Sequence, residues 1–164
     1  MSVPLPDLRI LVCGTGDRGD DGAALAAIAH VLPGLPDDLR SRVEVRRCPQ
    51  LDVTDLTDVR EHERCLVVDT VVGIEPGSVV TMSLTDLAGR SDGLTPRSSH
   101  ALSIEDTLLI AETVCGAMPK GAFVGIGGKW FGFGERFSKV VKGELPAFAA
   151  AIRSAIEDLL GEAA

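Results

Sequence analysis

Three stretches of the chain are apolar with almost no polar alternation: Leu8–Cys13 (LRILVC), residues 64–70 (RCLVVDT) and Gly121–Gly127 (GAFVGIG). A parallel strand covered by helices on both sides has no solvent face, so it reads this way, and three buried strands are predicted. Residues 42–48 (RVEVRRC) and 77–84 (GSVVTMSL) alternate more, which predicts strands nearer the sheet edges. Between these runs the spacing becomes helical. Residues 20–32 are rich in Ala and Leu and stop before Pro33-Gly34. Residues 103–115 open with Ser103 and, three places on, Asp106, a capping box with Asp in place of the usual Glu. Residues 146–160 (PAFAAAIRSAIEDLL) put a proline at the first helical position and repeat apolar residues at helical spacing. Strands alternating with helices predict an α/β fold: a single three-layer domain over residues 1–164, with a mostly parallel sheet and helices on both faces. The longest loop expected is 88–99, and no internal repeat or low-complexity tract interrupts the pattern.

The first strand leads into Gly14-x-Gly16-x-x-Gly19 and then a helix, the order in which many proteins seat a dinucleotide pyrophosphate on helix amides. Asp20 and Asp21 occupy the place of that pyrophosphate. Two carboxylates at ~4 Å would oppose it by several kcal/mol at intermediate dielectric. The second strand also ends in Arg46-Arg47-Cys48 rather than in a ribose-binding acid. A nucleotide-binding module using Gly14, Gly16 and Gly19 is therefore the lesser alternative. Acids in a first helical turn also stabilise it by roughly 0.3–1 kcal/mol with no further role.

Position along the sheet changes the weight of these acids. Ligands of open parallel sheets bind at the carboxyl ends of the strands. Gly14 to Asp21 follows the first strand, Asp69 ends the run CLVVD, and His100 precedes the capped helix, so one edge gathers two carboxylates and an imidazole. Such a mixed oxygen and nitrogen set suits a first-row divalent metal with open positions. His30, inside a helix, and His62, in the run REHER, are assigned structural or solvated roles.

Composition narrows the partners. A formal net charge of −8 argues against nucleic acid and against anionic membrane surfaces. No run is long and apolar enough to span a bilayer, and the first ten residues lack the features of a secretory signal. Cys13, Cys48, Cys65 and Cys115 form no C-x-x-C pair, which favours reduced, mostly buried thiols in a cytoplasmic protein.

With these residues in view, the chain resembles the hydrogenase maturation endopeptidases, small proteases that trim the C-terminal tail of nickel–iron hydrogenase large subunits. ILVCGTGDRGDDGAA is similar to the family's strand, G-x-G-N loop and D-[DE]-x-x-G helix start. LVVDTVVGIEPGSVV is similar to its V-D-A segment and Pro-Gly turn, and SSHALSIEDTLLIAETVCGAMPKGAFVGIG to its histidine, helix and final strand. The resemblance implies a sheet of about five strands. It also implies that Asp21, Asp69 and His100 bind a nickel ion supplied by the substrate, the large-subunit precursor. Two departures stand out: Asp17 where Asn is usual, and Ala24 where Gly is usual. Whether a metal-activated water or an aspartate attacks the peptide bond stays open; no Ser/His/Asp order or nucleophilic Cys setting is evident. A non-hydrolytic metal- or partner-binding maturation factor is the main alternative. Residues 125–138 (GIGGKWFGFGERFS) form either a mobile aromatic loop beside the groove for the precursor's tail or glycine turns with aromatics packed on the sheet.

Overall fold

The computed structural model describes residues 5–89 and 102–163. Among them are five strands, β1 (Leu8–Cys13), β2 (Val43–Cys48), β3 (Arg64–Val71), β4 (Val79–Ser83) and β5 (Gly121–Gly127). Six α-helices accompany them: α1 (Ala23–Val31), α2 (Asp37–Arg40), α3 (Val53–Thr57), α4 (Leu84–Ala88), α5 (Ile104–Cys115) and α6 (Lys139–Ala163). The strands lie in the order β2-β1-β3-β5-β4, all parallel except β4, which runs antiparallel to β5. The two alternating segments are the two edges, as their patterning predicts. Strand β4 is reversed because residues 72–78 contain no helix to carry the chain back across the sheet. The chain turns at Gly73 and Gly77 and re-enters from the edge it left.

Pleating divides the core into two layers. Leu8, Ile10 and Val12 of β1, with Leu66, Val68, Val124 and Ile126, pack against α1 and α6. Leu11, Cys13, Cys65, Val67 and Phe123 face the opposite layer, where residues of α3, α4 and α5 complete the second cluster. This is the three-layer arrangement expected. No helix among the described residues is long and apolar enough to cross a membrane.

Two local expectations need correction. The helix expected over 20–32 is split into a 3-10 turn at Gly19–Gly22, α1, and a second 3-10 turn at Leu32–Gly34. The last helix begins not at Pro146 but at Lys139, and the proline lies inside it. A proline in a helix interior costs about 3 kcal/mol. Here the added turns bury Val141 completely and pack Val140 and Leu145 against the core, a gain of comparable size. The short helices α2, α3 and α4 carry too few residues to show a period. Their signals are caps: Asp52 with Asp55 in a full capping box on α3, and the Ser83 hydroxyl accepting from the Asp86 amide on α4. For α5 the Ser103 half of the expected capping box is present, its hydroxyl accepting from the Asp106 amide at 3.1 Å. Residues 90–101, which include His100 and most of the expected loop 88–99, lie outside the described residues.

Candidate metal-facing site

The strand order reverses direction at β1, with β2 to one side and β3 to the other, so the carboxyl ends of β1 and β3 flank the switch point of the sheet. Two of the three predicted ligands come from segments at that end of the sheet. Asp21 comes from the turn after β1, and Asp69 lies in β3, opposite Gly125 of β5. The chain reaches this geometry by folding sharply back. Gly14 has φ +118, and a Cβ on it would stand 2.1 Å from the Asp21 carbonyl oxygen. Gly14→Ala is therefore expected to cost about 2–3 kcal/mol, read as a lowered midpoint in urea; an unchanged midpoint would show that the turn can relax.

The Asp21 carboxylate accepts from the Thr15 amide at 2.9 Å and the Thr15 hydroxyl at 3.1 Å. Asp69 accepts from the amide of Thr70 at 2.8 Å. Both acids are only 5 % exposed. Burial first, and then the neighbouring Asp21 charge, push the Asp69 carboxyl up to about 8, while the Thr70 amide pulls in the opposite direction. Near neutral pH, Asp69 therefore keeps its proton. A buried acid forced to hold its proton beside a second acid is a costly arrangement, of the kind that clusters at functional sites. Among the described residues no group of three or more His, Cys, Asp or Glu side chains converges on a metal position, and the third predicted ligand, His100, is not among them.

Asp20 does something the sequence does not reveal. It is completely buried, and its carboxylate accepts from the amides of Lys129, Trp130 and Ser138 and from the Ser138 hydroxyl, all at 2.8–2.9 Å. Backbone bonds from Gly19 to the Gly134 carbonyl, from Asp20 to the Trp130 carbonyl and from Gly134 to the Asp17 carbonyl join the same two segments. The aromatic segment is thus sewn to the first loop, which argues against the mobile-loop alternative. It also weakens the nucleotide reading: the Thr15 amide is occupied by Asp21, and those of Gly19 and Asp20 by carbonyls of the other loop.

In the sequence Thr15 and Thr70 carry no signal beyond their adjacency to the glycine loop and to Asp69. The Thr70 hydroxyl donates to the Asp20 carbonyl at 2.8 Å, tying β3 to the turn that carries both acids. Cys13 and Cys48 are register partners at the same edge and are buried. The Cys48 thiol, burial and the Asp69 charge together hold the Cys13 thiol well above its ordinary range. A thiolate at Cys13 is disfavoured accordingly.

No family model and no curated protein matches the chain. Solved structures do share its fold. The hydrogenase maturating endopeptidase HybD from E. coli superposes with a TM-score of 0.71 at 16 % identity, covering 92 % of this chain and 92 % of that one. The [NiFe] hydrogenase maturation protease HybD from Thermococcus kodakarensis gives 0.62 at 22 % identity, covering 90 % and 98 %. The [NiFe] hydrogenase maturation protease HycI from Thermococcus kodakarensis gives 0.60 at 17 %, covering 92 % of each. At these identities the likeness is one of fold, and function has to be argued from the site.

Proposed function

We propose that this chain is an endopeptidase that removes the C-terminal tail of a nickel–iron hydrogenase large-subunit precursor after nickel insertion, recognising the metal through Asp21, Asp69 and His100. One observation carries the reading. Asp21 and Asp69, from separate parts of the chain, lie at the carboxyl ends of adjacent strands, near enough for the charge of one to act on the other, in a fold shared with named hydrogenase maturation proteases.

The chemistry of the pair supports a conditional site. Asp69 holds its proton up to about 8, so a free cation must displace that proton before it gains a second carboxylate. An ion presented by the precursor arrives with other ligands in place and needs only the remaining donors. Its charge also relieves the repulsion between the two acids. Affinity is then gained for the loaded precursor alone, which makes cleavage depend on metal insertion. In this reading His100 adds the nitrogen donor.

The test is to incubate the protein with nickel-loaded and nickel-free precursor and to follow tail loss by mass. Only the loaded precursor should be trimmed, and Asp21→Ala, Asp69→Ala and His100→Ala should each stop trimming. Tail loss that ignores loading, or that survives all three substitutions, rejects the proposal. Loaded precursor that binds the wild-type protein with unchanged mass would identify a non-hydrolytic maturation factor.

A further inference from the structure

The aromatic segment anchored by Asp20 shapes a second surface next to the acid pair. Phe133 is 78 % exposed and Trp130 41 %, unusual for large aromatics in a segment held by seven hydrogen bonds. The Arg18 guanidinium lies 3.9 Å above the Phe133 ring. Between this segment and the start of α6 is a cleft of about 750 Å³, lined by Trp130, Phe133, Arg136, Phe137 and Lys139 among others. The chain carries a net charge of −8, yet residues 129–142 hold four basic side chains, Lys129, Arg136, Lys139 and Lys142, against one acid, Glu135, and of these Glu135, Arg136 and Lys139 line the cleft.

We propose that this cleft docks an acidic segment of the precursor, one in which carboxylates flank an apolar side chain. The apolar side chain packs on Trp130 and Phe133, while the carboxylates pair with Arg136, Lys139 and Arg18. The inference rests on the proposed function for the identity of the partner, but the chemistry of the site is independent of cleavage. Trp, Phe and Arg on a backbone fixed before binding are the residues from which interface hot spots are built, because less conformational entropy remains to be lost. Position fits as well. Arg18 and Gly134, which lines the cleft, form a backbone bridge, so the cleft borders the loop that leads to Asp21. Nucleic acid would also find cations and aromatics here, but an overall charge of −8 repels a polyanion at long range.

Trp130 is the only tryptophan of the chain and lies in the cleft, so its fluorescence reports occupancy directly. The probes are an acetylated decapeptide of Glu, Asp, Phe and Leu, its counterpart with Lys replacing every acid, and a ten-nucleotide oligouridylate. The acidic peptide should give a saturable change, with affinity falling about fivefold or more between 50 and 300 mM salt. The double variant R136E/K139E should weaken it by about tenfold or more, whereas R40E/R153E, with the same change in net charge elsewhere, should leave it unaltered. Binding of the lysine peptide or the oligouridylate as tight as that of the acidic peptide overturns the proposal. So does indifference to salt, or wild-type affinity in R136E/K139E. If the acidic peptide behaves as stated while loaded precursor is never trimmed, the proposed function falls and the acidic-peptide site stands. If trimming occurs but R136E/K139E binds the peptide normally, only the docking site falls.

Discussion

Asp20→Ala should destabilise the protein by about 4 kcal/mol or more and shift Trp130 emission toward that of a solvated indole. The carboxylate is fully buried, and three amides and one hydroxyl donate to it. Bonds to a charged acceptor contribute more than neutral ones, about 1.5–3 kcal/mol each, and they are not additive. Alanine also leaves the Lys129, Trp130 and Ser138 amides facing a void. Asp20→Asn separates hydrogen bonding from volume. It keeps the shape, and with its oxygen in the place of Oδ2 it still accepts from Lys129, Trp130 and the Ser138 hydroxyl, but its NH₂ then faces the Ser138 amide and the charge is gone, so part of the loss should persist. Urea denaturation monitored by Trp130 fluorescence measures both variants. If Asp20→Asn falls within about 1 kcal/mol of wild type, the anchor is steric rather than electrostatic.

The second expectation has the opposite sign: Asp69→Asn should make the protein more stable at pH 8.5 and abolish any function that needs the carboxylate. Asp69 is held at about 8 in the folded state against 3.8 as the ordinary value. Between those values the folded state retains a proton that the unfolded state releases, so stability falls as pH rises through the window. Below about 4 both states are protonated and the cost vanishes; above about 8 it is present in full. Its scale is on the order of 5 kcal/mol across the window. Asparagine accepts the Thr70 amide in the same way but never ionises. The two proteins should therefore have similar stability near pH 4 and diverge steadily up to pH 8.5. Parallel urea midpoints across that range would show that the acid is not destabilised by its surroundings. The expected trade resembles that at other strained sites, where the least stable group is kept for what it binds.

The neighbouring acids Asp20 and Asp21 divide their roles in a way that no local rule decides. Asp20 and Asp21 both stand at a helix start, and both suit that position equally well. Which of them faces Asp69 depends on a turn whose course is set by Gly14 and by a segment more than a hundred residues away. Similarly, the apolar spacing of the last helix is plain from Pro146 onward, but its first turns are held by contacts of Val141 with other elements.

What the sequence determined alone was the layered α/β plan, the identity of the edge strands, the caps of α5 and the placement of Asp21 and Asp69 at one sheet edge. All of these follow from local rules: period, capping chemistry, and the fact that strands in a parallel sheet end together. The tertiary structure decided the division of labour between Asp20 and Asp21, the proton on Asp69 and the fixing of the aromatic segment. Each depends on burial and on partners distant along the chain, quantities set by packing, which no window of neighbouring residues encodes.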